Sequence, residues 1–291
     1  MLKKERTISS AKAKQRRIIG AIAGNIALAL LVLIFLIPII WLIFLSLKSD
    51  VEIFTEPLKW YTEVHWENYT NAFRLVPFGT MLSKSAFVVL LAVPTTVIFD
   101  IFVAFAIGRM RFGNRRLQNG IFRLFVFGVI APTSILMFPV YLLLTKLGLY
   151  DNIWAVVLTH IGWGASMNIM IMVSGFRAVP DSLEEAAVID GCNIWQLLWK
   201  VLVPVAKPVI ATCVILTFLG CWNDFALAKV MLNSPANRTI SLAASYFKGQ
   251  FSTNYALTAA GSVILVVPQL IVFVIFQRYI IDGVTAGAVK G

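Results

Sequence analysis

The sequence predicts an all-α integral membrane protein in which six helices cross the bilayer. Two observations support this prediction. Of the 291 residues, 59% are hydrophobic and only 13% are charged, whereas an average soluble domain has about 25% charged residues. The apolar residues also gather into long stretches of about 20 residues or more, which is the length that an α-helix needs to cross a bilayer. The bilayer then serves as the apolar solvent that a soluble fold of this size would lack.

Six stretches are long enough to span the membrane. In chain order they cover residues 18–47, 81–107, 121–144, 153–176, 208–231 and 256–281. The first is longer than the apolar segment of a signal peptide and is not closed by a small-residue cleavage site, so we interpret it as a retained span. Prolines lie in or near these stretches and predict kinks or breaks, at positions 38, 94, 132, 139 and 268.

The net charge is +11, and the positions of the basic residues predict the orientation of the chain in the membrane rather than nucleic-acid binding. Placing the N-terminus in the cytoplasm puts 17 Lys and Arg residues on that side and eight on the other. Because basic residues concentrate in cytoplasmic loops, both termini are expected inside. No basic groove with stacking aromatics is evident. The chain thus divides into a basic N-terminus (1–17), a spanning domain (18–281) and a cytoplasmic tail (282–291).

Side chains for catalysis or metal binding do not form a pattern. The three cysteines, Cys192, Cys213 and Cys221, are odd in number and lack paired spacing, so they predict neither disulfides nor a zinc site. His65 and His160 are isolated, and no nucleophile–base arrangement is visible. The G-x-x-x-x-G-K-[ST] phosphate loop is also missing. We therefore expect no enzyme activity, and no nucleotide or metal bound by this chain.

The connection between the fourth and fifth stretches, residues 177–207, is the most informative segment. It predicts a short helix, a sharp turn and a second helix. Ser182 and Glu185 have the spacing of a capping box at the start of the first helix, and Gly191 suits a left-handed residue at its end.

Both helices of this connection have surfaces suited to a neighbour. Ala186 and Ala187 would keep one surface of the first helix slim enough for close approach to another protein. The second helix carries Ile, Trp, Leu and Val residues between positions 194 and 201 in an amphipathic pattern. Such a helix could lie along the membrane surface.

The same segment resembles the EAA loop of ABC-importer permeases. The pattern is Glu-Ala-Ala at 185–187, Gly191 after three residues, and Val-x-Val-Pro at 201–204 after nine more. Two positions that often hold Ile and Leu in that family are valines here. In that family the short helix docks into a cleft on an ATPase subunit. The resemblance therefore assigns ATPase coupling to Glu184, Glu185, Ala186, Ala187, Asp190, Gly191 and Pro204.

The resemblance continues to the last residue and narrows to the carbohydrate branch, the maltose-type second permease subunit. The matching segments are AFAIGRMRF at 104–112, PVYL at 139–142, LGL at 147–149, WNDF at 222–225, QRY at 277–279 and TAGAVKG at 285–291. It implies a permease for a di- or oligosaccharide in a bacterial inner membrane. Its implied partners are a second permease subunit, two ATPase subunits that bind ATP and Mg, and an extracytoplasmic solute-binding protein. It also implies ATPase contacts for the tail residues Thr285, Gly287, Lys290 and Gly291.

Polar residues inside the predicted spans indicate where a solute could pass, because such residues are costly in a membrane. Asp100 could accept hydrogen bonds from the solute or from a neighbouring helix. Asn223 and Asp224 could bind sugar hydroxyls while Trp222 and Phe225 cover apolar sugar faces, or they could serve gating or packing. The weaker candidates of this kind are Asn168 and Ser166.

Three alternatives stay open at this stage. An importer for a non-sugar solute, such as a glycerol phosphate, would use the same segment, residues 177–207, as its coupling loop. A secondary carrier would need related halves and an intramembrane ion site, whereas this chain shows one buried acid and no evident internal similarity. A membrane scaffold or enzyme would have no ATPase partner.

Overall fold

The computed structural model describes residues 2–60, 63–110, 112–247 and 253–288. The chain divides into two compact units. The first comprises Met1–Ala72 and Gln250–Val263, and the second comprises Phe73–Gly249 and Ile264–Gly291.

Helices account for most of the described residues. In chain order they are α1 (Leu2–Ser46), α2 (Asp50–Thr55), α3 (Glu67–Leu75), α4 (Phe78–Gly108), α5 (Arg115–Ile130), α6 (Thr133–Lys146), α7 (Ile153–Arg177), α8 (Asp181–Ile189), α9 (Ile194–Gln196), a π-helical turn (Leu197–Leu202), α10 (Val203–Val205), α11 (Lys207–Asn223), α12 (Ala226–Met231), a 3₁₀ helix (Ile240–Phe247) and α13 (Tyr255–Ala288).

The predicted class, an all-α membrane protein, is confirmed. Among the described residues, four helices are long and apolar enough to cross a bilayer: Gly20–Ser46 within α1, α4, α7, and Tyr255–Ile275 within α13. Two further spans are formed if each bent helix pair counts as one. These pairs are α5 with α6, bent by 101°, and Ile194–Val205 with α11, bent by 78°.

Two predicted stretches differ from the observed helices. The third stretch is interrupted after Ile130, because Pro132 favours an extended backbone at Ala131, which has ψ 118°. The fifth stretch was expected to continue to residue 231, but its helix ends at Asn223. Asp224 takes an extended backbone, and its Oδ1 accepts a hydrogen bond from the amide of Leu227 at 3.0 Å. A short polar side chain that satisfies the start of α12 in this way favours a break in the helix.

The core of the second unit is built by α4 and α7, with α5 and α11 packed against them. Glycine permits the close approach of these helices. A Cβ atom on Gly175 of α7 would lie 2.8 Å from Val209 Cγ1 on α11, and a Cβ on Gly164 would lie 3.1 Å from Thr96 Cγ2 on α4. Small residues at helix contacts are typical of membrane bundles, where packing rather than the hydrophobic effect holds helices together.

In the first unit, a buried lysine organises the segment that follows α1, residues 47–66, which we call the first loop. Lys48 is only 1% exposed. Its ammonium donates to the carbonyl oxygens of Glu56 at 2.7 Å, Pro57 at 3.2 Å and Lys59 at 2.7 Å. Because a buried ammonium must find acceptors, these three carbonyls fold the loop around it.

Further hydrogen bonds hold the first loop at both ends. The side-chain Nδ2 of Asn68 donates to the backbone carbonyls of Ser46 at 3.0 Å and Lys48 at 2.8 Å. The hydroxyl groups of Ser46 and Tyr69 lie 2.7 Å apart. Asp50 Oδ1 accepts from the backbone amide of Ala256, which satisfies a free donor at the start of α13.

Candidate functional site

Helix α8 ends in the turn that the sequence predicts. Gly191 has φ +80°, the left-handed conformation that only glycine adopts without strain. The amide of Gly191 donates to the carbonyl of Val188, and the amide of Cys192 donates to the carbonyl of Ala187. These two bonds form a Schellman motif, which satisfies carbonyls at the helix end. The predicted role of Gly191 in ending this helix is confirmed.

The predicted start of α8 is wrong. We expected Ser182 and Glu185 to form a capping box, but the helix begins at Asp181 with Pro180 at the N-cap and no side-chain cap. Pro180 has φ −60°, which already suits entry into a helix, and proline lacks the amide hydrogen that would need a partner. Ser182 therefore lies inside the first turn, where it cannot cap, and both side chains are exposed.

The two alanines of α8 face opposite environments, so the expectation that both form an outer surface is wrong for one of them. Ala187 is 6% exposed and packs inside the second unit. Ala186 is exposed, as are Val188 and Ile189, the last of which is 85% exposed. Two adjacent large apolar side chains are thus exposed at the tip of α8, next to the Gly191 turn.

Glu184 lies on the inner side of α8, partly buried. Its Oε1 is 3.0 Å from Arg109 Nε. Burial raises the pKa of the Glu184 carboxyl, and the positive charge of Arg109 opposes that rise. Asp190, by contrast, is exposed at the C-cap of the helix.

The second helical segment of the 177–207 connection, residues 193–205, packs on α4. Asn193 forms a reciprocal capping box with Gln196 at its start. Trp195 and Trp199 both meet the ring of Phe102 edge-on, with centroid distances of 6.0 and 5.9 Å. Leu198 and Leu202 are buried, whereas both tryptophans and Pro204 are exposed, so the apolar residues of this stretch are divided between a buried and an exposed face.

A cavity of about 420 Å³ opens in the second unit between α7 and α11, with Thr133 of α6 at its edge. Its polar lining includes His160, Asn168, Thr217, Asn223 and Asp224, and its aromatic lining includes Trp163. Two of the predicted pathway residues, Asn223 and Asp224, therefore lie on one cavity wall.

His160 and Asp224 form a pair across this cavity that the sequence did not suggest. His160 Nε2 lies 3.0 Å from Asp224 Oδ2, and both side chains are about nine-tenths buried. The carboxylate can only accept, so the imidazole Nε2 donates. The two residues are 64 positions apart, and no spacing rule connects them. The ring of Trp163 stands edge-on to the imidazole at 6.4 Å.

Asn168 is held by a buried network beneath the cavity. Its Nδ2 donates to Asp100 Oδ2 at 3.0 Å and to Thr217 Oγ1 at 2.8 Å, and the Thr217 hydroxyl donates to the carbonyl of Cys213. Both hydrogens of the Asn168 side-chain amide are thereby used. The side-chain oxygen Oδ1 is left as the group available to the cavity. Asp100 is fully buried and lies behind Asn168, not on the cavity wall.

The remaining pathway candidates lie in different positions. Asn223 Oδ1 accepts a hydrogen bond from Gln269 Nε2 of α13 at 2.5 Å. Trp222 is buried and stacks on Phe218, with ring centroids 5.6 Å apart, and it does not line the cavity. Phe225 is exposed beside the break between α11 and α12. The structure thus separates these aromatic residues from the polar ones that precede or follow them in the sequence.

The expected ATPase-contacting tail is only partly described. The chain is helical to Ala288, beyond the predicted boundary at 282, so Thr285 and Gly287 lie in the last turns of α13. Lys290 and Gly291 lie outside the described residues.

The fold defines an all-α integral membrane protein, and similarity to known proteins specifies the family. Residues 100–285 match the family described as "Binding-protein-dependent transport system inner membrane component". The chain belongs to this family, and its place is the inner membrane. The segment that resembles an EAA loop, residues 185–204, lies inside the matched region.

Two curated relatives illustrate the similarity along the chain. The sulfoquinovosyl glycerol transport system permease protein SmoH of Agrobacterium fabrum is 32% identical over 267 residues, which cover 91% of this chain and 93% of that protein. The trehalose transport system permease protein SugB of Mycobacterium tuberculosis is 33% identical over 258 residues, which cover 88% of this chain and 93% of that protein. Both are permeases.

A solved structure has the same fold. It is a bacterial ABC transporter involved in the import of the acidic polysaccharide alginate, and one of its chains superposes with a TM-score of 0.72 at 25% identity. The match covers 90% of this chain and 96% of that one. The identification of the sequence as an ABC-importer permease is therefore confirmed.

Proposed function

We propose that this chain is the permease subunit of an ATP-driven importer that moves a di- or oligosaccharide, delivered by a solute-binding protein, across the inner membrane. The support for a carbohydrate solute is that the relatives and the structural neighbour described above are named for sulfoquinovosyl glycerol, trehalose and alginate. In the assembled importer, a second permease subunit would pair with this chain. Two ATPase subunits would bind the ATP and Mg.

The observation that carries the coupling role is the exposed apolar tip of α8. Val188 and Ile189 are not covered by any described part of the chain, although water disfavours the exposure of large apolar side chains. A cleft on an ATPase subunit would cover them. Both termini and this loop would then lie in the cytoplasm, where the ATPase subunits are.

Cross-linking from adjacent alanines tests this role. Ala186→Cys should cross-link to an ATPase subunit of the assembled importer, because Ala186 is exposed beside the apolar tip. Ala187→Cys is the matched control and should not, because Ala187 is buried. If neither position reaches the ATPase while the complex still transports solute, the docking role of α8 is refuted.

We place the solute pathway along the cavity between α7 and α11. Asn223 and Gln269 bond to each other on helices that cross the membrane, and polar groups at such positions face a pathway or a protein neighbour rather than lipid. Within the cavity, the side-chain Oδ1 of Asn168 and the carboxylate of Asp224 would accept hydrogen bonds from solute hydroxyls. The ring of Trp163 would cover an apolar sugar face. Asp100 would act indirectly, by fixing the orientation of the Asn168 amide.

Solute-stimulated ATP turnover by the reconstituted importer tests both the solute class and the pathway. Among trehalose, diacetylchitobiose and glycerol 3-phosphate, each offered with the binding protein, we expect stimulation by a disaccharide and none by the phosphate. Asn168→Leu should then weaken transport of that disaccharide about tenfold, the effect of one lost hydrogen bond to a buried polar partner. Stimulation by the glycerol phosphate alone would overturn the carbohydrate assignment.

A further inference from the structure

Arg109 is a nearly buried cation that contacts the end of α7 and the start of α8. It follows the last residue of α4, and its side chain is only 8% exposed. The sequence shows it merely as one of several basic residues at the end of a span. In the structure its guanidinium lies between the ends of α4, α7 and α8.

The guanidinium binds groups of α7, of α8 and of the turn between them. Its Nε donates to the carbonyl of Phe176 at 2.9 Å, in the last turn of α7, and its Nη2 donates to the carbonyl of Val179. Its Nη1 donates to Asp181 Oδ1 at 2.6 Å, in the first turn of α8. Glu184 Oε1, one turn further along α8, lies 3.0 Å from Nε.

These contacts differ in kind. The single hydrogen of Nε is used by the carbonyl of Phe176, and Glu184 Oε1 receives no hydrogen bond within the described residues. Glu184 is therefore held by charge alone, whereas Asp181 is held by a charge-assisted hydrogen bond. The carbonyl of Phe176 also accepts the backbone amide of Val179 at 3.0 Å, so Arg109 adds a second donor at the end of α7, where carbonyl groups lack regular helical partners.

Close packing of α4 against α7 beside Arg109 restricts movement of the two helix ends. A Cβ atom on Gly108, the residue before Arg109, would lie 3.6 Å from the carbonyl oxygen of Val173 and 3.7 Å from Phe176 Cβ, so the ends of α4 and α7 are in contact. The fork-shaped guanidinium can bind several acceptors at fixed angles, which a lysine ammonium on a flexible stem cannot do.

We propose that Arg109 is a positioning residue that fixes α8 to the ends of α4 and α7, so that movement of α8 is passed directly to the spanning bundle. The inference rests on the proposed docking of α8 to an ATPase. Arg109 does not line the cavity between α7 and α11. Without it, α8 would still be a helix, but its position relative to the bundle would no longer be defined.

A distance measurement on the permease tests whether Arg109 fixes the position of α8 relative to the bundle. Spin labels at Ala186 on α8 and Asn119 on α5, both exposed, should give one narrow distance distribution by double electron–electron resonance, with the native cysteines replaced. Arg109→Gln should broaden it, and Arg109→Lys should broaden it less, since one nitrogen keeps the charge but not the fork. Lys200→Gln removes an exposed charge from the same loop and should leave the distribution narrow. An unchanged distribution in both Arg109 variants overturns the proposal.

A second measurement reads the consequence in the assembled importer. Arg109→Gln should leave basal ATP turnover within about twofold of wild type, while stimulation by the solute-loaded binding protein falls by about tenfold, equivalent to ~1.4 kcal/mol of coupling. Stimulation at the wild-type ratio in a variant with a broadened distance distribution also overturns the proposal. If Ala186→Cys fails to cross-link to an ATPase in an importer that keeps Arg109, the docking role is refuted instead. The distance measurement would still test whether Arg109 fixes the position of α8.

Discussion

Two buried cations, Lys48 and Arg109, each follow the end of a long helix, yet they hold the chain in different ways. Lys48 bonds carbonyls that are 8 to 11 residues away in the sequence. Arg109 bonds groups that are 67 to 72 residues away. The first cation therefore folds one loop onto its own helix. The second joins three helices that are separate in the sequence.

The difference teaches how the same physical requirement serves two purposes. A charge removed from water must be compensated by nearby acceptors, wherever the chain can supply them. If the acceptors are local, the result is a stable loop with no effect on distant helices. If they are distant, the charge becomes a mechanical connection. The first loop and the coupling loop, residues 177–207, should therefore respond differently to substitution.

The largest expected effect is on stability, at Lys48. Lys48→Met keeps most of the side-chain volume but leaves three carbonyl oxygens without their donor. We expect a loss of about 2–4 kcal/mol in the free energy of unfolding, since a buried unpaired polar group costs about 1–3 kcal/mol and water can reach part of the loop. Thermal unfolding of the purified permease measures it. The exposed Lys59→Met is the control, and an equal loss in both would show that the Lys48 contacts are not what stabilises the loop.

A smaller effect is expected at Gly191 in the coupling loop. Its φ is +80° and nothing lies within 4 Å of an added Cβ, so a substitution meets backbone strain but no clash. Gly191→Val should cost roughly 1–2 kcal/mol locally and weaken solute-stimulated ATP turnover without preventing assembly.

The matched variant at this position is Gly191→Asn, because asparagine tolerates the left-handed region better than other residues. It should retain most of the stimulation. If valine and asparagine behave alike, the conformation of the turn is not what limits coupling.

A pH effect of modest size is expected at Glu184. Burial raises the pKa of this carboxyl above its usual value of 4.5, and Arg109 opposes the rise. Between 4.5 and the raised value the folded state binds more protons than the unfolded state, so the free energy of unfolding falls as pH rises. Glu184→Gln should flatten that part of the stability profile, measured by thermal unfolding from pH 4.5 upward. The exposed Glu185→Gln should leave the slope as it is in the wild type.

The smallest effect is expected in the first loop, at His65. A hydrogen bond with Glu67 raises the pKa of the imidazole above 6.5, partly offset by burial. The stability that this bond contributes is present below pH 6.5 and lost as pH rises through the raised pKa. Glu67→Gln should bring the His65 pKa down towards 6.5, measured by NMR of labelled histidine, of which the chain has two. Glu63→Gln should lower it less, because Glu63 acts on the imidazole only through its charge.

The sequence predicted several features that depend on neighbouring residues, although the start of α8 was not among them. The Gly191 turn follows from one residue type at the end of one helix, and the break near Pro132 follows from the ring of that proline. The membrane class follows from the length of the apolar stretches. Each of these depends on an interaction within a few residues, and such interactions have recognisable patterns.

The contacts that build the candidate site could not be predicted in the same way. His160 and Asp224 are 64 residues apart, and Arg109 and Asp181 are 72 apart. Each residue was visible as a polar or basic group, but nothing local specifies its partner. The burial of Ala187 has a similar origin, because the direction in which α8 faces is set by the bundle beneath it. Only the packing of α4, α7, α8 and α11 brings these groups together.

The close contact of Gly175 with Val209 has a consequence for genetics. An alanine at 175 would place its methyl carbon 2.8 Å from a branched side chain that cannot rotate away without strain, so the two helices would be wedged apart. Shortening Val209 to alanine removes the obstructing methyls and should restore growth on the imported solute to cells that carry Gly175→Ala. A suppressor selection in living cells would thus detect this helix contact without purified protein.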